Sequence, residues 1–140
     1  MKVLADSNFW IGLFNPLDES HLRSLVVSSK LHDLRASFLI SNYIFSEVTS
    51  VMSLRAGRES GIAAGNYLMT QTNISIIHID QVLHQGAWQI FQEIQQKDLG
   101  FVDCSILAVL RTEAVDALLT FDKLLAKLAR KQRVKIWPVL

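Results

Sequence analysis

The stretch "GFVDCSILAVLR" (Gly100–Arg111) carries one hydroxyl, at Ser105, and otherwise only apolar side chains from Cys104 to Leu110. A run with no polar face to offer water predicts a helix buried on all sides. Yet Asp103 stands near its start, where burying a carboxylate is costly unless the charge is paired. The fold has to supply both a cover for this helix and a reason for its acid.

Strand-like and helix-like pieces alternate on either side of it. "KVLA" (2–5), "SFLIS" (37–41), "ISIIHI" (74–79), "DALLT" (116–120) and "VKIW" (134–137) predict strands. Between the first two, "FWIGLF" predicts a short apolar helix, and Asp18 or Ser20 is placed to cap another running to about Leu34. A helix is expected from about Asn42 to Arg55, then the turn "RAGRESG" (55–61) and a helix through "GIAAGNYLM" (61–69). Leu83, Ala87, Ile90, Phe91 and Ile94 recur at helical spacing, predicting an amphipathic helix from Gln81 to about Gln96. The quoted segment and "DKLLAKLARK" (122–131) are the last two helices. Strands separated by helices imply a central parallel sheet of about five strands flanked by helices on both faces, an α/β/α sandwich. With no repeat, low-complexity tract or linker, residues 1–140 are expected to form a single domain.

Half of the 140 residues are apolar and 19% are charged, which favours a compact globule over a disordered chain. The single cysteine, Cys104, has no internal disulfide partner, so a reducing compartment is expected. "MKVLADSNFW" meets an acid and an amide too early for a signal peptide, and no apolar run is long enough to cross a bilayer. The expectation is a cytoplasmic protein without membrane association. From Lys123 onward there are six basic residues and no acid, which leaves residues 1–122 with eight basic against thirteen acidic, a balance of −5. An acidic body with a basic tail suits a polyanion held close to carboxylates, or equally an acidic protein partner.

In an open parallel sheet, ligands bind at the carboxyl ends of the strands. Asp6 follows the first strand and Asp122 lies just past the fourth, so the two face one crevice if those strands are neighbours. Glu47 falls within the apolar stripe of Ile44, Val48, Val51 and Met52, where a glutamate needs a partner. Each acid also has a plainer role open to it. Asp6, Asp103 and Asp122 suit helix caps, and Glu47 suits a helix that is only half buried. Their conjunction weighs against coincidence. Four clustered carboxylates cannot all stay ionised without protons or a cation, and a hard, oxygen-seeking ion such as Mg²⁺ or Mn²⁺ resolves the conflict.

"VLADSN", "SNYIFSEV", "DLGFVDCSILAVLR" and "ALLTFDKLL", taken in order, resemble the signature of PIN-domain nucleases, and most of all the toxin subunits of VapBC toxin–antitoxin pairs. The likeness covers essentially the whole chain. It implies that Asp6, Glu47, Asp103 and Asp122 are the acidic quartet holding one or two divalent ions, with Ser7, Asn8 and Thr120 as supporting polar residues. Gly100 departs from the pattern, since many relatives carry a serine there. The implied activity is metal-assisted hydrolysis of RNA phosphodiester bonds by an endoribonuclease toxin, and the implied partners are RNA, a cognate antitoxin and a second copy in a homodimer. A housekeeping RNA-processing nuclease and a catalytically silent scaffold that binds protein are the alternatives; the presence of all four acids weighs against the second.

Lys123, Lys127, Arg130 and Lys131 follow an i, i+4, i+7, i+8 pattern, forming a basic stripe beside Asp122 that suits an RNA backbone or simply a solvated helix face. Arg55 and Arg58 flank a turn, where RNA contact competes with plain surface. The four histidines show no metal-ligand spacing, and His21 is assigned no role. Asp80 predicts a helix cap, and Trp10, Phe14, Trp88 and Phe91 predict core or interface positions. A haloacid-dehalogenase-type phosphatase would want an aspartate where Asn8 stands, and no G-x-x-x-x-G-K loop is present for nucleotide hydrolysis.

Overall fold

The computed structural model describes residues 1–138; the last two residues of the expected domain lie outside them. The elements are β1 (Lys2–Ala5), α1 (Ser7–Phe14), α2 (His21–Asp33), β2 (Ser37–Ser41), α3 (Asn42–Ala56), α4 (Arg58–Thr70), β3 (Ile74–Ile77), α5 (Gln81–Glu93), α6 (Phe101–Thr112), β4 (Ala117–Leu119), α7 (Lys123–Arg130) and β5 (Lys135–Trp137). The strands form one sheet in the order β3-β2-β1-β4-β5, with every pairing parallel. Leu4 in β1 is flanked by Leu39 of β2 on one side and Leu118 of β4 on the other. Val3, Leu4 and Ala5 are fully buried, as expected of a strand covered on both faces.

The strand order decides where the helices go. Parallel crossovers are right-handed, so connections running from β1 to β2 to β3 place their helices on one face. Those running back from β3 to β4 to β5 must use the other. Accordingly α1 packs on α2 and α3, and α3 on α4, while α6 packs on α5 and α7. This is the α/β/α sandwich expected from the sequence. Within it, Cys104 to Leu110 of α6 are all buried, which is why that run needs no polar face.

Several expected boundaries shift. The turn expected over 55–61 shrinks to Gly57, whose φ of 96° ends α3 and starts α4 directly. β3 stops at Ile77, two residues early, because the Ile79 N–H bonds to the Asn42 side-chain oxygen (2.6 Å) instead of continuing the ladder. α5 ends at Glu93, with Ile94 already extended. Trp10 is core, but Trp88 and Phe91 are not: they stack on each other at 5.7 Å and remain 51% and 41% exposed.

The α3–α4 hairpin is tight enough that a Cβ on Gly61 would stand 2.9 Å from the Thr49 carbonyl oxygen, which is backbone and cannot swing away. Gly61→Ala should therefore lower stability by about 1–3 kcal/mol through overpacking, measured by urea denaturation. An unchanged midpoint would show that the two helices separate freely.

Candidate active site

β1 and β4 are the strands from which connections leave to opposite faces, so the crevice at their carboxyl ends is the topological switch point of the sheet. Asp6, Glu47, Asp103 and Asp122 line one open pocket there, of about 420 Å³, together with Ser7, Asn8 and Phe101. Four segments distant in sequence thus bring their carboxylates to one place.

Asp6 sits deepest, only 5% exposed. Its backbone N–H extends the β1–β4 ladder by one bond, to the Leu119 carbonyl at 2.9 Å. Its carboxylate accepts from the Ser7 N–H (2.7 Å) and from the Thr120 hydroxyl (2.7 Å), with the Ser7 hydroxyl further off at 3.4 Å. The Thr120 oxygen in turn accepts from the Asp122 N–H (3.1 Å) and the Asn8 amide (3.4 Å), and Asn8 accepts from the Phe121 N–H (3.3 Å). Ser7, Asn8 and Thr120 therefore knit the ends of β1 and β4 around the buried acid.

The other three acids are held by helices. Asp122 caps α7 by accepting from the Leu125 N–H (2.9 Å). Asp103 is not itself the cap; as the third residue of α6 it reaches back to the Gly100 N–H (3.0 Å). Glycine at 100 offers no side chain to complete a reciprocal capping pair, but the half that fixes the carboxylate is intact. Glu47 is half-buried, beside the buried Ile44 and Val48 of α3, where the helix face turns from core to pocket. Capping and pocket-lining thus coincide in the same carboxylates.

Burial pushes the Asp6 carboxyl up to about 7, against its two short hydrogen bonds, with the negative charges of Asp103 and Glu47 adding to the rise. Asp103 is pushed up to about 6, again chiefly by burial, with Asp122 and Glu47 contributing. The acids are close enough to oppose one another's ionisation. Among the described residues no three of Asp, Glu, His or Cys close into a tight metal cage, and the carboxylates stand around the pocket instead. An all-carboxylate set with room for water, and no histidine or cysteine lining it, fits a hard ion of the Mg²⁺ type, which keeps part of its hydration shell.

Elsewhere, His21 braces α1 against α2 through a 2.7 Å contact with the Gly12 carbonyl, and Asp80 caps α5 as expected. Arg55 pairs with Asp18 at 3.4 Å across the surface, while Arg58 lines a groove between α3 and α4. Of the basic stripe, Lys123 and Arg130 line a second pocket that includes Asp122, whereas Lys127 and Lys131 do not line it. Arg23 and Phe101 also line these pockets, and neither stood out in the sequence, since each reaches the crevice only through the fold.

The sign of the pH response follows from the raised carboxyls. Between about pH 4 and 7 the folded protein holds a proton on Asp6 that the unfolded chain has released, so stability falls as pH rises through that window. In the presence of chelator, Asp6→Asn should remove part of this decline and raise stability at pH 8 by roughly 1–3 kcal/mol, read by urea denaturation. A variant less stable than wild type at pH 8 would mean that the carboxylate is not under electrostatic strain.

Comparisons with known proteins bear on the family and the fold. The 23S rRNA-specific endonuclease VapC20 of Mycobacterium tuberculosis, from strains CDC 1551 and H37Rv, is 23% identical over 121 residues, covering 86% of this chain and 88% of the relative. The crystal structure of that organism's VapC20, described as a Sarcin-Ricin loop cleaving toxin, superposes with a TM-score of 0.79 at 21% identity, covering 90% of this chain and 94% of that one. VapBC2 from Rickettsia felis, solved bound to a DNA fragment from its promoter, gives a TM-score of 0.64 at 18% identity over 97% of both chains. These likenesses in structure establish the fold. The PIN domain model itself matches residues 3–131, nearly the whole sequence, and the chain belongs to the PIN domain family.

Proposed function

We propose that this protein is a Mg²⁺- or Mn²⁺-dependent endoribonuclease and the toxin of a toxin–antitoxin pair. The observation that carries the reading is the buried Asp6 carboxylate facing Asp103, Glu47 and Asp122 across one pocket at the switch point of the sheet. The names of the relatives, an rRNA-specific endonuclease and a toxin, support the same direction.

In this reading Asp6 and Asp103 are the main ligands of a divalent ion, while Glu47 and Asp122 hold a second ion or orient the attacking water. When bound, such an ion would acidify a water as nucleophile and stabilise charge on the attacking water oxygen and the leaving ribose oxygen. The remaining work falls to the chain. Thr120 and the Ser7 N–H fix the Asp6 carboxylate, and the Gly100 N–H fixes that of Asp103. Asn8 holds the β4 end in register by accepting from Phe121. The partners in this reading are RNA, a cognate antitoxin and a second copy of the chain. A reducing, cytoplasmic setting suits the lone Cys104, which is buried. No helix among the described residues is long and apolar enough to cross a membrane.

Purified protein should cut single-stranded RNA with Mg²⁺ or Mn²⁺ and stop on addition of EDTA. Asp6→Asn and Asp103→Asn should each lower the cleavage rate by at least about 100-fold with circular dichroism unchanged, since loss of residues merely supporting a metal ligand already costs about 10–100-fold. Full activity in either variant would refute the assigned site. Thr120→Val, which removes only the hydroxyl that holds Asp6, should lose about 10-fold or more while keeping its fold. Activity equal to wild type would reduce Thr120 to a structural bystander.

A further inference from the structure

Beside the acidic pocket lies a second, narrow one of about 50 Å³, and the two share Asp122 in their walls. Its lining includes Arg23 from α2, and Lys123 and Arg130 from the two ends of α7. Three cations therefore surround a small cavity against one carboxylate, and one oxygen of that carboxylate already accepts from the Leu125 N–H. Among the described residues none of the three has an acidic salt-bridge partner; the one ion pair there joins Arg55 to Asp18. Three solvent-exposed cations gathered against a single carboxylate leave a local excess of positive charge, which attracts an anion.

Arg23 is also held in position. Its guanidinium carbon lies 3.9 Å over the Phe121 ring, so one face is stacked while the N–H edges stay free to donate. Phe121 itself is fixed from behind, its N–H donating to Asn8 in the network around Asp6. The backbone that sets the acidic site thus also sets the ring on which Arg23 rests. A planar guanidinium with free edges is the side chain best matched to the paired oxygens of a phosphate.

We propose that this second pocket is a phosphate subsite, in which Arg23, Lys123 and Arg130 bind an RNA phosphate neighbouring the one that is cut. The proposal rests on the endoribonuclease reading and adds to it a positioning device. By gripping an adjacent phosphate, the basic pocket sets which bond of the backbone lies over the acids. Lys127 of α7 and Lys131, just past its end, do not line the pocket and contribute at most to long-range attraction.

The test uses a short RNA that the wild-type protein cuts at one bond, prepared as a series in which a single neutral methylphosphonate replaces each phosphate in turn. Replacement of one phosphate next to the cut should slow cleavage by about 10- to 100-fold, the worth of hydrogen bonds to a charged group. In Arg23→Gln and Arg130→Gln the unmodified RNA should be cut slowly to a similar degree, and the methylphosphonate should then cost little more. Binding of the same RNAs in EDTA, followed by fluorescence anisotropy, gives a readout independent of chemistry. There the log–log salt slope should fall by about 0.7 in each variant, and in Lys127→Gln the methylphosphonate penalty should stay as in wild type. A flat methylphosphonate profile in both assays overturns the subsite and leaves the three cations to an acidic protein partner. Absence of cleavage with a position-dependent binding loss would instead overturn the nuclease reading and leave the phosphate pocket standing.

Discussion

A carboxylate removed almost entirely from water is the constraint on which the rest of this site depends. Asp6 is the first residue after β1, and its N–H continues the ladder to β4, so the pairing that builds the sheet also fixes where this acid must sit. Burial works against its ionisation, and two short hydrogen bonds only partly offset that. Asp103 and Glu47 then press on it from the facing helices. An arrangement of this kind destabilises the folded chain at neutral pH, a cost that the proposed divalent cation would offset.

The supporting structure accounts for how such a cluster is tolerated. Asp6, Asp122 and Asp103 each accept from backbone N–H groups at the start of a helix, so the same carboxylates that line the pocket satisfy helix ends. Structural and functional uses do not compete here. The helix dipoles of α1, α6 and α7 converge on the crevice because each follows a strand or loop at the carboxyl edge of the sheet. Around the acids, Thr120 accepts two N–H donors and gives its own proton to Asp6, which leaves it no freedom to turn away.

What could be seen in the sequence was what depends on local pattern. The apolar run from Cys104 to Leu110 announced a fully enclosed helix, and the alternation of strands and helices announced the parallel sheet. Asp6 and Asp122 were legible because one follows a strand directly and the other lies just beyond one, and Glu47 because it interrupts an apolar stripe. The break at Gly57 was misjudged because one residue with positive φ ends a helix as sharply as a seven-residue turn. Phe91 keeps helical spacing with the buried Ala87 yet lies at the margin of the stripe, where a small rotation of the helix decides burial, and Trp88 stacks on it from outside the stripe. Arg23 was invisible for a different reason. Nothing near it in the chain marks it, and its place is set by Phe121, ninety-eight positions away.

The claim at the centre is that four carboxylates form a divalent-cation site, and location of the ion tests it most directly. Crystals soaked in MnCl₂ and measured at the manganese absorption edge should show an anomalous difference peak inside the pocket, within coordinating distance of the Asp6 and Asp103 carboxylates. A saturating soak that left this pocket without a peak, or placed manganese only at surface sites away from these acids, would contradict the account.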